Sequence, residues 1–422
     1  MSDYFDRIER QLVRKVEAGL PRRSRFPVRL DHLAVAASLL LVIAVAAVFV
    51  DIRSSSSTGS QAGSRAIRIV FSASQLDPRA PLNPSIRRSV DVLRRRLDAV
   101  FRGVQVSRAG SDLVVVVRKA AGVSRGRIRA LAVPARLEFY DWEANALTPN
   151  GKTVASHLQN QDPTALEISQ GSGSTLPGEP GAGSLPLYQA VKLASKQPPL
   201  NTPGSSRSGR QYYLFGAPGS ATCQTAAREH DKLAVAGVHC LLSGPNSNSQ
   251  ALDSDLPAGV SASKGQRLEV PRGIVVLQAE DAFAENPAPF SSPAAQFYVL
   301  KDDVALPGAD ITHPSQSTDQ SGTPDVSFAF NSTGANKFQN ATAAIARRGV
   351  LVSTPGLTLN QHFAVALDNQ LITVPSIDFK TYPGGITGGG AADITDGFTI
   401  RSARTLATLL RYGPLSIGLA AR

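Results

Sequence analysis

The stretch IRRSVDVLRRRLDAV (residues 86–100) decides how the folded part of this 422-residue chain is organised. Its apolar residues recur at steps of three and four, which places them along one side of an α-helix; they are Ile86, Val90, Leu93, Leu97 and Val100. The outer face is strongly cationic and is predicted to carry Arg87, Arg88, Arg94, Arg95 and Arg96. We therefore expect an amphipathic helix that presents arginines to the solvent.

Short apolar runs typical of strands surround this helix. They are Ala66–Ser72 before it, Val104–Val106 and Leu113–Val117 after it, and Ala135–Trp142 further on. A second helix is predicted over Ser124–Leu131. The order strand, helix, strand, strand, helix, strand is typical of a ferredoxin-like α+β unit. Residues 65–142 are therefore predicted to form one such unit.

An uncharged apolar segment, Leu33–Val50, precedes this unit and is predicted to cross a membrane. As a helix it would span roughly 27 Å, close to the hydrocarbon thickness of a bilayer. Four arginines lie between residues 22 and 29, and only Arg53 follows closely, so the amphipathic and basic residues 1–32 are expected in the cytoplasm. The remaining chain would then be extracytoplasmic, in a single-pass protein of the cell membrane. A cleaved signal peptide is the alternative.

The charge of the chain suggests an acidic or anionic partner. Its formal net charge is +11, and a Ser/Gly-rich linker is expected over residues 51–64. A basic protein beside a bilayer suits an anionic membrane surface or acidic polypeptide, whereas nucleic acid is not expected in that compartment. Charge that serves only solubility is the alternative. The residues predicted to face lipid are Arg87, Arg88, Arg94 and Arg95.

Both cysteines, Cys223 and Cys240, fall in the part predicted to be exported. A disulfide between them would close a loop of about 17 residues and stabilise the fold by about 3 kcal/mol. Free thiols and a metal site that includes His230 and His239 are the alternatives, although no zinc-site spacing is present. Residues 143–270 around these cysteines are rich in Gly, Ser and Pro, and we expect much of this segment to be a mobile insertion. The elements expected inside it are a short helix at Leu187–Lys196, a strand at Gln211–Phe215 and a helix at Cys223–Val235.

Regular patterns return after residue 270 and predict an α+β region with mostly antiparallel strands. Val326, Phe328 and Phe330 alternate along one strand, and the next helix is expected to begin near Asn331 and to end at Gly349. Further expected elements are strands at Gly273–Gln278 and Gln296–Leu300, a hairpin of Phe363–Leu367 with Leu371–Val374, a flexible loop at Gly384–Gly390, and a helix capped by Thr399 and stopped by Gly413 and Pro414.

Several motifs in this region belong to a recognisable family pattern. They are Gly334-Ala335 with Phe338 and Thr342, Ala364–Asp368, Val374–Ile377, Asp396–Thr399, Ala403 to Leu410, and Gly413–Leu415. Together they resemble the first extracytoplasmic domain of SecD/SecDF, a membrane subunit that assists protein export through the Sec channel. Upstream, Val92–Asp98, Val114–Val116 and Pro134–Phe139 resemble the base subdomain of that family. The resemblance implies a base at 65–142 and a head at 271–422, with 143–270 largely outside it.

The resemblance implies a non-enzymatic module, bound to the bacterial cell envelope, that contacts the Sec translocon or a translocating polypeptide. The family's further membrane helices, which carry the residues linked to proton flow, are not expected here, since the chain ends at Arg422. An extended polypeptide is predicted to add to a sheet edge formed by Val326, Phe328 and Phe330; the alternative is that this strand is central core. A binding or scaffolding protein of the envelope unrelated to export is the second functional hypothesis.

No sequence motif indicates catalysis. The zincin, CxxC, nucleophile-elbow and P-loop patterns are absent from the sequence, so no catalytic residue, metal site or cofactor is predicted. Asp368 is the most tempting carboxylate, yet it lies in the predicted hairpin turn and is expected to serve that turn. The family commonly has Asp-Gly there, and Asn369 is expected to supply the positive φ instead.

Overall fold

The computed structural model describes residues 66–76, 81–118, 120, 122–159, 183–200, 209–229, 237–254, 256, 259–279, 291–292, 295–319, 321–355, 357–387, 392–395 and 398–421. The predicted span Leu33–Val50, the cytoplasmic segment 1–32 and the linker 51–64 lie outside these ranges. Within them, no helix combines the length and apolar character needed to cross a bilayer.

The described helices are α1 (Leu82–Asp98), α2 (Arg125–Leu131), α3 (Trp142–Asn145), α4 (Val154–Gln159), α5 (Leu187–Ala194), α6 (Ala221–Glu229), α7 (Ala251–Ser254), α8 (Ser332–Val352) and α9 (Ile400–Tyr412). The strands in the first half are β1 (Ala66–Gln75), β2 (Val104–Ala109), β3 (Asp112–Arg118), β4 (Leu137–Asp141), β5 (Leu185–Pro186), β6 (Gln211–Gly216), β7 (Cys240–Asn246) and β8 (Gln266–Val270). Those in the second half are β9 (Ile274–Gln278), β10 (Gln296–Lys301), β11 (Leu306–Pro307), β12 (Ile311–Thr318), β13 (Pro324–Phe330), β14 (Gln361–Leu367), β15 (Gln370–Thr373), β16 (Ser376–Ile377), β17 (Ala392–Ile394) and β18 (Ile417–Ala421).

The name base is used below for the four-stranded antiparallel sheet in the order β18, β1, β3, β2 together with helices α1 and α2. This is the strand order of a ferredoxin-like sheet, but its fourth strand comes from the C-terminus of the chain. The prediction that Ala135–Trp142 supplies that strand is wrong, because β4 pairs with β14 in another sheet. Both β4 and β18 are short apolar runs, and their composition does not distinguish which sheet each one joins. The N- and C-terminal parts of the described chain therefore share one sheet.

The head is built on a larger sheet in the order β11, β4, β14, β15, β9, β10, β5, with β16 paired to β14. Its pairings are antiparallel except for the contact between β15 and β9. A second head sheet has the order β12, β13, β17. The described fold is therefore α+β with mostly antiparallel strands, as the sequence predicts.

The segment between base and head contains more regular structure than its composition suggests. β7, β6 and β8 form a three-stranded sheet, and α5 packs against β8, β9 and β10. Cys223 and Cys240 are joined in a disulfide with an S–S distance of 2.00 Å, which ties α6 to the start of β7. Two Gly/Ser-rich stretches of the sequence, 160–182 and 201–208, lie outside the described residues.

Helix α8 continues past the predicted stop at Gly349 and ends at Val352. Gly349 is buried inside the helix, and a Cβ atom there would lie 2.7 Å from Cδ1 of Phe379. The glycine therefore allows a close approach and does not end the helix. The predicted flexible loop also begins in contact with α8: Gly385 has φ +84°, and a Cβ atom on it would lie 2.3 Å from the carbonyl oxygen of Gln339.

We predict that Gly349→Ala destabilises the protein by about 1 kcal/mol, the net of two opposing effects. Helix propensity alone would favour alanine by about 1 kcal/mol, but overpacking against Phe379 costs typically 1–3 kcal/mol. Urea unfolding measures the change. Gly126→Ala is the matched control, because a Cβ atom there meets only Ser124 Oγ at 4.0 Å. A Gly349→Ala protein at least as stable as the parent would show that the contact with Phe379 relaxes freely.

Candidate polypeptide-contact edge

The strand predicted to bind polypeptide, β13, is not a sheet edge. It pairs with β12 on one side and with β17 on the other. Val326 is fully buried and Phe328 is 3% exposed, and both belong to the hydrophobic core that the head shares with the base. The prediction that Val326, Phe328 and Phe330 form an exposed edge is therefore wrong, and the alternative of a central strand describes the structure.

Phe330 is the member of this strand that reaches the border of the core. It is half-buried and lies 5.0 Å from the ring of Phe338 and 6.2 Å from that of Phe139, measured between ring centroids. Phe338 in turn contacts Phe363 on β14 at 5.5 Å. These aromatic contacts connect β13 to α8 and to the large sheet, so the small sheet is held rigidly in the head.

The small sheet has two edge strands, β12 and β17, and β12 is the longer of them. The main-chain N–H of Asp319 donates to the carbonyl of Thr323 at 2.9 Å, which makes these two residues a hydrogen-bonded pair at the end of the hairpin. Hydrogen-bonded and non-hydrogen-bonded pairs alternate along an antiparallel ladder. Thr318 and Gln316, one and three residues before Asp319, therefore belong to non-hydrogen-bonded pairs. Their N–H and C=O groups point away from β13, and no described strand pairs with that side of β12.

The first half of the same edge is closed by irregular backbone and by helix α9. The pairing register shifts between Thr312 and Ser315, and His313 has φ 53°. Pro314 has no N–H to offer, and its carbonyl accepts from the Arg411 guanidinium at 3.1 Å. Bulges and prolines protect sheet edges from unwanted pairing. Only the segment Gln316–Thr318 remains open for main-chain contact.

Sequence reasoning missed β12. Its residues, ITHPSQST, lack alternating apolar side chains, and Pro314 argues against a strand. A strand at the edge of a sheet can contain proline and polar residues, because one side of it makes no ladder hydrogen bonds. The β-branched residues at 311, 312 and 318 are a weak signal that would have supported a strand.

A buried arginine holds the base against the head. Arg96 was expected on the outer face of α1, yet its side chain is fully buried. Its guanidinium donates to the carbonyl oxygens of Leu131, Val133, Pro134 and Gly413 at 2.6–3.1 Å. Burial lowers the pKa of Arg96 to about 10, and the charge of Asp368 opposes this shift. The group therefore remains protonated at neutral pH.

Asp368 fixes the start of β4 from the hairpin turn of the head. Its carboxylate accepts from the main-chain N–H groups of Ala135 and Arg136, both at 2.9 Å. Burial raises the pKa of Asp368, and these two hydrogen bonds oppose the shift. Asp368 itself has the positive φ of the turn, 56°, so Asn369 does not play the part expected for it.

A second charged cluster holds α8 against the large sheet. Arg348 on α8 forms a two-pronged ion pair with Asp141 and also reaches Glu143 at 3.4 Å. The carboxylate of Glu143 accepts from the main-chain N–H of His362 at 2.9 Å and contacts His362 Nδ1 at 2.7 Å. Burial alone would lower the pKa of Arg348, but the hydrogen bonds and charges of Asp141 and Glu143 outweigh it and raise the pKa.

The remaining predicted site residues lie apart from this edge. Arg87, Arg88 and Arg95 are exposed on α1, as is Arg94, which donates to the carbonyl of Val106 on β2 at 3.1 Å. Of the two histidines considered beside the cysteines, His230 lies outside the described residues and His239 stacks on Tyr188. Among the described residues there is no group of three potential metal ligands.

We predict that Arg96→Met destabilises the protein by about 3–5 kcal/mol, because four carbonyl groups at the junction lose their donor. Thermal unfolding of the purified chain measures the loss. Arg95→Met is the matched control. Arg95 is the exposed neighbour of Arg96, and its replacement should change the free energy of unfolding by no more than about 0.5 kcal/mol. Equal stability of the two variants would contradict the role given to Arg96.

Residues 284–417 match the family model described as SecDF, P1 head subdomain. Protein translocase subunit SecD of Rickettsia prowazekii is 30% identical over 228 residues, which cover 54% of this chain and 36% of that protein. SecD of Rhodobacter capsulatus is 35% identical over 123 residues (29% and 19%), and SecD of Synechocystis is 38% identical over 117 residues (28% and 22%). The chain thus spans about a third or less of the length of these curated relatives.

Two solved structures are similar to 84% of this chain. One is a crystal structure of SecDF in a super-membrane-facing form, with 19% identity, 29% of that chain covered and a TM-score of 0.38. The other is SecDF from Thermus, a translocon-associated membrane protein, with 20% identity, 30% of that chain covered and a TM-score of 0.24.

Proposed function

We propose, from the premise that residues 284–417 form a head of the SecD/SecDF extracytoplasmic type, that the protein acts in Sec-dependent protein export. In this role it is a membrane-anchored extracytoplasmic module that contacts a translocating polypeptide or the translocon. Leu33–Val50 would supply the anchor. The match of the head to this family is the observation that carries the proposal.

The contact is proposed to occur at the open part of β12. An extended polypeptide would pair with the outward N–H and C=O groups of Gln316 and Thr318, which allow up to about four main-chain hydrogen bonds. Main-chain recognition tolerates any side-chain sequence, as an export factor requires. Each such bond contributes only about 1 kcal/mol net, so the contact would be weak and readily released.

This function requires binding and no covalent chemistry. The buried carboxylates Asp141, Glu143 and Asp368 are engaged by Arg348, His362 and main-chain N–H groups. Their partners hold β4, β14 and α8 in place behind the small sheet. In this proposal the charged groups of the head position the edge and do not react with the polypeptide.

A specific observation favours a second candidate function, that of an envelope binding protein unrelated to export. The disulfide-linked sheet of β7, β6 and β8 lies upstream of the residues that match the head family. A folded addition of this kind offers surface for a partner other than the translocon. Co-purification under mild detergent separates the two candidates, since Sec subunits should accompany the protein only in the first.

The proposed edge predicts that Thr318→Pro weakens polypeptide capture while leaving the fold intact. Proline removes the outward N–H of residue 318 and leaves the hydrogen bonds between β12 and β13 in place. A photo-crosslinking residue at exposed Ser315 reports capture of a stalled, secretion-competent chain. We expect a crosslinked product with the parent and a loss of at least about fivefold with the proline variant, as expected for one hydrogen bond or more.

Thr318→Val is the matched control, because valine keeps the N–H group and the β-branched shape. It should retain crosslinking. Capture that is equal in the proline and valine variants would contradict pairing at β12, even if Sec subunits still co-purify. Absence of both capture and Sec subunits would contradict the export function as a whole.

A further inference from the structure

Helices α1 and α2 of the base and helix α9 of the head carry many more arginines than acidic side chains. These three helices pack against one another. The arginines that are not buried number four on α1, three on α2 and three on α9, whereas the acidic side chains are two aspartates on α1. The arginines are Arg87, Arg88, Arg94 and Arg95 on α1, Arg125, Arg127 and Arg129 on α2, and Arg401, Arg404 and Arg411 on α9. The ion pairs of the described residues involve none of them.

The structure divides the arginines of α1 into two stripes. Arg87 and Arg94 are seven residues apart and share one side of the helix, which borders β2 because Arg94 donates to Val106. Arg88 and Arg95 share another side by the same spacing. This side is next to Arg96, whose guanidinium points toward the end of α2 and the end of α9. The second stripe therefore lies closer than the first to the surface that α1 forms with α2 and α9.

Arg127 and Arg401 lie near the N-terminal ends of the packed helices α2 and α9, and neither is in an ion pair among the described residues. The Arg127 guanidinium lies 5.1 Å from the ring centroid of Phe101 and donates to the carbonyl of Gly122, so its position is fixed. Burial lowers the pKa of Arg127, and the nearby charge of Arg401 lowers it further. A pair of neighbouring cations of this kind is stabilised when an anion binds between them.

An exposed apolar side chain lies at the same place. Ile400, the first residue of α9, precedes Arg401 and is 50% exposed. Arginines around an exposed apolar residue suit a bilayer surface, where cations meet headgroup phosphates and the apolar group enters the acyl boundary. The exposed cations on these helices are all arginine, whose planar guanidinium binds phosphate in a two-pronged manner.

We propose that Arg88, Arg95, Arg127, Ile400 and Arg401, here called the cationic face, dock on the surface of a bilayer that contains anionic phospholipid. Residues 51–65 connect the predicted span to β1 and reach at most roughly 50 Å when extended, which is ample for the base to lie on the membrane. The proposal concerns the base and does not depend on polypeptide contact at β12.

The full chain, reconstituted in lipid nanodiscs, tests the proposal. Cys223 and Cys240 are joined, so Ala130→Cys on the exposed surface of α2 introduces one reactive thiol for a fluorophore. A quencher attached to lipid headgroups reports docking. We expect strong quenching with anionic lipid at low salt, weak quenching with neutral lipid alone, and loss of quenching as salt is added.

The double variant Arg127→Gln with Arg401→Gln should lower the ratio of docked to undocked protein roughly 25-fold, at about fivefold for each arginine near an anionic surface. Arg347→Gln with Lys196→Gln is the matched control, because it removes the same charge from exposed positions of the head and of the segment after α5. Circular dichroism and unchanged thermal unfolding verify that each variant folds.

Three results of this experiment would overturn the proposal: equal quenching on neutral and anionic nanodiscs, quenching by the arginine variant equal to that of the parent, or an equal loss in the control variant.

Inorganic phosphate distinguishes a lipid surface from a site for free phosphate. At matched ionic strength it should leave quenching unchanged, and displacement by millimolar phosphate would contradict docking on lipid. Ile400→Ser should weaken docking and leave its salt dependence intact.

Discussion

The buried guanidinium of Arg96 is the interaction on which the arrangement of base and head depends. It donates to the carbonyl of Leu131 at the end of α2, to two carbonyls in the segment between α2 and β4, and to Gly413 at the end of α9. A buried cation without such partners would be prohibitively costly. The chain can therefore bury Arg96 only when the link from base to head and the return from head to base lie side by side. Asp368 reinforces this geometry by binding Ala135 and Arg136 in the same link.

The consequence is that base and head are not independent units along the sequence. β18 completes the base sheet after the chain has built the head, and β4 leaves the base to join the head sheet. One continuous core includes Ile69 and Leu93 of the base together with Val326 and Phe328 of the small sheet. Motion between base and head would have to expose this apolar surface, so the described structure favours a fixed orientation.

Sequence patterns predicted those elements whose periodicity is local. The stripe from Ile86 to Val100 identified α1, and Thr399 identified the start of α9, where a capping box forms with Ser402. The sheet that each strand joins was not predictable from the sequence, because β4 and β18 are both short apolar runs. The inward turn of Arg96 was equally hidden, since it borders the apolar stripe and only the tertiary fold brings carbonyls to it. The open edge at Gln316–Thr318 depends on which residues of β12 form hydrogen-bonded pairs with β13. The side-chain pattern of the sequence does not reveal this.

Helix α9 connects the two proposed surfaces physically. Its N-terminal residues Ile400 and Arg401 belong to the cationic face, Arg404 and Arg411 contact β12, and Gly413 at its C-terminal end accepts from Arg96. One helix of 13 residues thus spans the base junction, strand β12 and the proposed lipid contact. Because a helix and its packed neighbours move as a rigid body, docking of the cationic face would fix the direction in which Gln316 and Thr318 point relative to the membrane. Lipid contact by the base would then orient the polypeptide edge of the head without any energy source within the described domain.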